Sequence, residues 1–264
     1  MVAALIFLFS FDGKHSEQFG KVNQNTEQYP SPIGLYQFLQ SLFGEEFICG
    51  LAKYMEDDTD IKKMITKGFV FFNHFARLEA AVDKKVLRQA WGRGVALFTY
   101  AGTAHFDIVI PVAIPEDNLM TSLIVQVKNR RDDQLGTAVI VEADHAISRA
   151  ASSLPEVPAC LGILMALRCN KNPGVEDAHP KERGGKHLRT FKKENVYTWP
   201  KPKRLVLAAV GLDASIYPGI ESINRQDAKE IRQILRDLLD LQGGIGIRHA
   251  SSYIKNMAVG YAEG

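Results

Sequence analysis

Residues 106–128 read FDIVIPVAIPEDNLMTSLIVQVK, and this stretch predicts a β-hairpin. Its two ends, 106–112 and 122–128, are rich in valine and isoleucine, which strands favour. Between them, residues 113–118 end in Pro-Glu-Asp-Asn, which is typical of a turn. Because strands that a short turn connects run in opposite directions, we expect the two ends of the stretch to pair antiparallel.

The polar residues of this hairpin are predicted to converge. In an antiparallel pair the start of the first strand lies beside the end of the second, so Asp107 should neighbour Gln126 and Lys128. Side chains alternate along a strand, which places Gln126 and Lys128 on one face and Val125 and Val127 on the other. We therefore expect a carboxylate, an amide and an ammonium group on one side of apolar strands. Polar groups in such a setting need partners or a chemical role.

The segments around the hairpin predict a mixed α/β fold. Apolar residues recur at helical spacing over 73–91, and β-rich runs follow at 95–100, 159–167 and 204–211. A short helix is expected at 144–153. The order around the hairpin is thus helix, three strands, helix, strand.

Three further segments have their own predictions. Residues 33–43 predict a helix, and 227–241 predict an amphipathic helix near the C-terminus. The apolar run at 2–9 is interpreted as a buried strand or a hydrophobic anchor of the domain.

Charge is segregated along the chain, although the 264 residues carry a net charge of only +2. Residues 1–60 hold nine acids and three bases, a balance of −6, whereas residues 168–204 hold eleven bases and four acids, a balance of +7. The basic part is interpreted as a long loop, or excursion, at 170–203, with aromatic residues among its bases. It predicts a surface that contacts phosphates, with a solvated loop as the alternative.

Composition excludes several other classes of protein. The three cysteines form no CxxC pair, so neither a disulfide framework nor a cysteine zinc site is indicated. No stretch reaches the ~20 apolar residues that would span a bilayer. We expect an intracellular protein, cytoplasmic or nuclear, without a membrane partner.

The hairpin residues and the element order resemble the PD-(D/E)XK nuclease superfamily, which has the restriction-endonuclease-like fold. The resemblance spans about residues 70–170 and rests on Asp107 followed by Gln126-Val127-Lys128. Gln126 stands in place of the usual acid, which makes this a Gln-x-Lys variant. The resemblance implies a three-layer core, a mixed central sheet flanked by helices, with residues 1–64 as an acidic segment packed on a nuclease-like domain at 65–264.

The resemblance also implies a chemistry, the hydrolysis of DNA phosphodiester bonds with Mg²⁺ or Mn²⁺. Asp107, Gln126, Lys128 and, from the preceding helix, Glu79 would be the catalytic residues. Asp107, Glu79, the Gln126 side-chain oxygen and the Val127 carbonyl would be the metal ligands, since such cations prefer oxygen. Lys128 would orient the attacking water and offset the charge that develops on the phosphate.

Nucleic acid, with DNA preferred, is the expected partner. The candidate contacts are basic or aromatic: Arg130, Arg131, Lys186, Arg189, Lys192, Lys193 and Trp199. The alternatives are a catalytically inactive nuclease-like module that binds nucleic acid or a protein partner, a homodimer, and a basic surface masked by the acidic N-terminal segment. Taken singly, Asp107 could end a strand, Gln126 could be a satisfied sheet amide and Lys128 a solvent-facing base.

Overall fold

The protein is a mixed α/β structure, built from a sheet of mixed strand direction and from helices. A computed structural model describes residues 2–19, 31–45, 48, 51, 59–78, 81–99, 106–128, 145–147, 149, 159–167, 192–193, 196–201, 204–210, 216–218 and 235. The helices are α1 (Val2–Phe19), α2 (Leu35–Phe43), α3 (Thr59–Lys67) and α4 (Lys84–Gly92). The strands are β1 (Ile33–Gly34), β2 (Phe69–Val70), β3 (His74–Arg77), β4 (Val95–Phe98), β5 (Ile108–Ile114), β6 (Leu119–Lys128), β7 (Cys160–Ala166), β8 (Lys192–Lys193), β9 (Val196–Lys201) and β10 (Arg204–Val210).

The predicted hairpin is confirmed as the centre of the sheet. β5 and β6 pair antiparallel, with Ile108 opposite Val125. A 3₁₀ turn at Pro115–Asp117 connects them, and Asn118 follows it in the left-handed region at φ 52°. Lys63 and Lys67 of α3 form ion pairs with Asp117 and Glu116 of this turn. Exposed pairs of this kind contribute little stability, so the hairpin depends on the packing of its apolar side chains.

Strand direction changes at β6. β5 is antiparallel to both of its neighbours β4 and β6, whereas β6, β7 and β10 run parallel. The main strand order is β1-β2-β5-β6-β7-β10-β9-β8, with β4 also paired to β5 and β3 paired to β4. Asp107 before β5, Lys128 in β6 and the carboxyl ends of β7 and β10 therefore lie at one end of the sheet, opposite the turn that joins β5 to β6. We call it the site end.

Helices pack on both faces of the central strands because apolar side chains point to both. On one face, Ile108 and Val125 belong to a large cluster that includes residues of α1, α2 and α3. On the other face, Val109 packs with Leu87 and Ala90 of α4. Strands covered on both sides read as continuous apolar runs, which is how β5, β6 and β7 appear in the sequence.

A second helical segment reaches the α4 face of the sheet. Val109, Ile124 and Gly162 follow one another across β5, β6 and β7. A Cβ atom on Gly162 would lie 2.1 Å from Cδ1 of Ile147, so the glycine makes room for the helical residues 145–147. Residue 149 is also helical, which agrees with the predicted helix at 144–153 as far as these residues are described.

The interpretation of residues 2–9 as a strand is wrong, because they belong to α1. Ala3, Ile6, Phe7 and Phe11 are buried, and their spacing of three and four residues is that of one helix face. A continuous apolar run hides this period, because every position in it is apolar. None of the helices in the described ranges is long and apolar enough to cross a membrane.

The helix predicted at 73–91 is wrong in its first half. Residues His74–Arg77 form β3, which is parallel to β4, and the helix α4 begins only at Lys84. Asp83 caps α4, since its carboxylate accepts the N–H of Val86 at 2.7 Å. Parallel neighbours need a crossover connection, and α4 provides it between β3 and β4.

The basic excursion is not an irregular loop throughout. Residues Lys192–Lys193 and Val196–Lys201 form β8 and β9, and β9 pairs antiparallel with β10. Strands at 95–100, 159–167 and 204–211 and the helix at 33–43 are confirmed within one or two residues. Apart from Leu235, which is helical, the helix predicted at 227–241 lies outside the described residues.

Residues of the predicted N-terminal segment contribute to the sheet and to its core. Within 1–64, Ile33–Gly34 forms β1, which pairs with β2, and Phe38 packs edge-on against Phe72. The division of the chain at residue 64 stays a prediction.

Candidate active site

Asp107 lies where the pairing of β5 with β6 ends. Its backbone N–H donates to the carbonyl of Val125 at 2.8 Å. Its carboxylate oxygen Oδ2 accepts the N–H of Val127 at 2.6 Å. The side chain of Asp107 is thus fixed beside the peptide that joins Gln126 to Val127, as the antiparallel hairpin predicts.

Thr99, directly after β4, holds the same segment from the other side. Its N–H donates to the carbonyl of Asp107 at 3.0 Å, and its hydroxyl donates to the carbonyl of Phe106. β4 and β6 therefore both bind the backbone that carries the carboxylate. Sequence reasoning missed Thr99; the signal was a side chain with a hydroxyl donor at the end of the strand that precedes Asp107.

Two opposing influences act on the carboxyl group of Asp107. Partial burial raises its pKa above the usual range, and this is the larger influence. The hydrogen bond from the Val127 N–H and the positive charge of Lys128 act to lower the same pKa. Because the residue still reaches solvent, a ligand can approach the carboxylate.

Two buried polar side chains of β6, those of Ser122 and Gln126, each have an oxygen without a hydrogen-bond partner among the described residues, and Gln126 is the one nearer the site end. It is 6% exposed, and its Oε1 atom has no hydrogen-bond partner within the described part of the chain. An unsatisfied buried acceptor costs about 1–3 kcal/mol, so it calls for a ligand or a functional reason. Lys128, two residues further on, is half-buried, and its charge acts on Asp107.

These groups partly fit a hard divalent cation. Asp107 supplies a carboxylate at the site end and Gln126 supplies an unsatisfied amide oxygen, and Mg²⁺ completes such a set with several waters. Among the residues that the structure describes, no three His, Cys, Asp or Glu side chains form a metal-binding group. A cation here would therefore be coordinated by one carboxylate, one amide oxygen and several waters.

Glu79 lies outside the described residues, in the gap between β3 and α4. The helix expected to carry it begins five residues later, at Lys84. Its role as a metal ligand stays a prediction.

The candidate nucleic-acid contacts divide into two groups. Arg130, Arg131, Lys186 and Arg189 lie outside the described residues. Lys192 and Lys193 form β8, and Trp199 lies in β9 opposite Val206. They belong to the same sheet as β5, the strand that Asp107 directly precedes.

No protein-family model, no curated protein and no solved structure matches this chain. What the site does must therefore be argued from its own geometry and chemistry.

Proposed function

We propose that this protein is a metal-dependent nuclease that hydrolyses phosphodiester bonds in DNA, with a PD-(D/E)XK-like site of the Gln-x-Lys type. The observation that carries the proposal is the 2.6 Å hydrogen bond from the Val127 N–H to the Asp107 carboxylate. It brings the carboxylate to the Gln126-Val127-Lys128 segment, twenty residues away in the chain.

The arrangement of elements around the site supports the proposal. Helix α4 is followed by β4, β5 and β6, then by helical residues at 145–147 and by β7. This is the order of helix, three strands, helix and strand on which the resemblance rests. With helices on both faces of these strands, a three-layer nuclease-like core is the architecture we propose.

Asp107, Gln126 Oε1 and the Val127 carbonyl would hold Mg²⁺ or Mn²⁺, with Glu79 as a further ligand. When bound, such a cation polarises a phosphate and lowers the pKa of a bound water. The hydrogen bond from Val127 holds the Asp107 carboxylate in place before any ligand arrives.

Lys128 supplies positive charge next to this carboxylate. Its ammonium group would orient the attacking water and offset the negative charge that develops on the phosphate. Because Gln126 stands where an acid is usual, the site has one carboxylate fewer than a site with an Asp and a Glu. The protein therefore neutralises less of the positive charge of Lys128 and of a bound cation.

The test is cleavage of supercoiled plasmid and of labelled duplex DNA with Mg²⁺, with Mn²⁺ and with chelator. We expect metal-dependent cleavage that Lys128→Ala lowers by roughly 10²–10³-fold, as is typical when one preorganised electrostatic group is removed. Lys62→Ala, which removes an exposed lysine of α3, is the matched control and should cleave as wild type does. Absence of cleavage by folded wild-type protein with either metal would refute the proposal.

A catalytically inactive DNA-binding module is the second candidate, favoured by the neutral side chain of Gln126 at an acid position. It predicts DNA binding that weakens steeply with salt. In this case neither metal gives cleavage, and Lys128→Ala lowers affinity without changing any rate. Loss of both cleavage and salt-dependent binding would exclude this candidate as well.

A further inference from the structure

The basic strand β8 lies level with the candidate site, at the far side of the same sheet. Backbone pairing connects one residue of each of five adjacent strands in a single row: Val127 of β6, Met165 of β7, Ala209 of β10, Val196 of β9 and Lys193 of β8. Lys192 ends the neighbouring row, which starts at Gln126 and passes through Leu164, Ala208 and Tyr197. The two lysines of β8 therefore stand in the rows of Gln126 and Val127, and the peptide that joins these two residues donates its N–H to the Asp107 carboxylate.

Strand spacing converts this register into a distance. Adjacent strands lie about 4.8 Å apart, so the four steps from Val127 to Lys193 amount to about 19 Å measured along the sheet. The row crosses the strands and does not run along them. β8 is thus displaced from the site sideways, with little displacement toward the opposite end of the sheet.

The last residue of β8 and the first residue of β9 also lie at the site end. β8 ends at Lys193 and β9 begins at Val196, which pairs with Ala209 near the carboxyl end of β10. That end of β10 is level with Lys128, the last residue of β6. In α/β sheets, ligands bind outside the carboxyl ends of the strands. In this sheet, the end of β8 and the Asp107 site both lie at the carboxyl ends of β6, β7 and β10.

We infer that β8 binds the phosphate backbone of the same DNA duplex that is cut at Asp107, about five to six base pairs from the scissile phosphate. The inference rests on the proposed function and deepens it by adding a second contact. The number applies to a duplex whose axis runs along this row, since a strand of duplex DNA rises 3.4 Å per base pair along its axis and β8 lies about 19 Å away. Lysine ammonium groups contact phosphates without reading sequence, so β8 adds affinity and orientation.

The first experiment measures how DNA binding depends on salt. The Lys192→Ala/Lys193→Ala variant is titrated with a 24-base-pair duplex between 50 and 200 mM NaCl. Consecutive strand residues lie on opposite faces, so β8 supplies one phosphate contact from the face of Gln126, or two where the duplex crosses the end of the strand. Losing one or two contacts lowers the slope of log K against log salt by about 0.9 or 1.8, so the affinity lost across this range becomes about 3.5-fold or 12-fold smaller than in wild type. An unchanged slope in a folded variant overturns the inference.

Two controls separate β8 from other effects. Lys62→Ala/Arg93→Ala removes two charges at the opposite end of the sheet, since α3 pairs with the β5–β6 turn and Arg93 precedes β4. Its slope should match wild type, and an equal decrease in both variants would mean that only net charge matters. Lys192→Gln/Lys193→Gln replaces the alanine variant if the latter does not fold.

Edge lysines also protect sheets from pairing with other chains, so oligomerisation is measured in parallel by light scattering. If the β8 variant forms oligomers while its monomer keeps the wild-type salt slope of DNA binding, the inference is overturned. The lysines of β8 then serve to prevent pairing with other chains.

The second experiment maps cleavage along an end-labelled 24-base-pair duplex. Wild type should cut faster where at least six base pairs extend beyond the bond toward β8, and the β8 variant should lose this dependence on distance from the duplex end. If wild type binds but does not cut, the nuclease proposal fails while the salt slope still tests β8. If wild type cuts and distance from the end has no effect, the inference about β8 fails and the nuclease proposal stands.

Discussion

Thr99→Val tests whether the hydroxyl of Thr99 helps to position the Asp107 carboxylate. Valine keeps the branched shape of threonine and its backbone N–H, so it removes only the hydrogen bond from the hydroxyl to the Phe106 carbonyl. Without this donor, the half-buried Phe106 carbonyl loses a hydrogen bond, and the free energy of unfolding should fall by about 1 kcal/mol. This value lies at the lower end of the range for buried groups because water can partly replace the hydroxyl. For a protein of this size the unfolding temperature should fall by about 2–4 °C.

The effect on the site should exceed the effect on stability. The hydroxyl fixes the residue before Asp107, and small displacements of a catalytic group can lower rates by up to 10²-fold. We expect cleavage to fall by more than tenfold at a temperature where the variant is fully folded, together with a shift of the Val127 amide resonance, because that N–H donates to Asp107. Thr99→Ser keeps the hydroxyl and should restore both. If Thr99→Val leaves the Val127 resonance and the rate unchanged, the proposed positioning by Thr99 is wrong.

Two further substitutions test the surroundings of the site. Gly162→Ala places a methyl group 2.1 Å from Cδ1 of Ile147. Overpacking of this kind should lower the free energy of unfolding, measured with urea, by about 1–3 kcal/mol. An unchanged urea midpoint would mean that the helical residues 145–147 do not pack on β7 as described. Gln126→Met removes a buried amide whose Oε1 atom has no partner among the described residues, so it should leave stability unchanged or raise it by about 1 kcal/mol while abolishing metal-dependent cleavage. A destabilisation of more than about 2 kcal/mol would show that the amide is well satisfied.

Local sequence patterns were enough to predict the central hairpin and its consequence for Asp107. β5 and β6 are apolar runs that a short turn connects, and their antiparallel pairing follows from that connection. The proximity of Asp107 to Val127 then follows from strand direction alone. No distant part of the chain is needed for either step, which is why both predictions hold.

Predictions made from periodicity failed where a segment was apolar throughout or where a cap interrupted the pattern. The run at 2–9 has no polar positions to reveal its period. Its helical structure depends on tertiary packing, in which Phe7 stacks on Phe38 and Phe11, one turn further along the same helix, packs on Phe72. At 73–91 the apolar spacing continues through two elements, although Asp83 marks the start of the second. Phe75 takes part in a strand and stacks on Phe98, a contact that depends on the parallel pairing of β3 with β4.

The sequence by itself determined the hairpin, the approach of Asp107 to the Gln126-Val127-Lys128 segment, and the separation of acidic from basic regions. Tertiary structure alone decided that Thr99 binds the Asp107 segment, that Gln126 Oε1 is buried without a partner in the described part of the chain, and that β8 lies level with the site. The physical reason is the sequence separation of the residues in contact. A hairpin joins residues that a short turn already holds close, whereas burial and the rows of a wide sheet depend on strands from distant parts of the chain that only folding brings together.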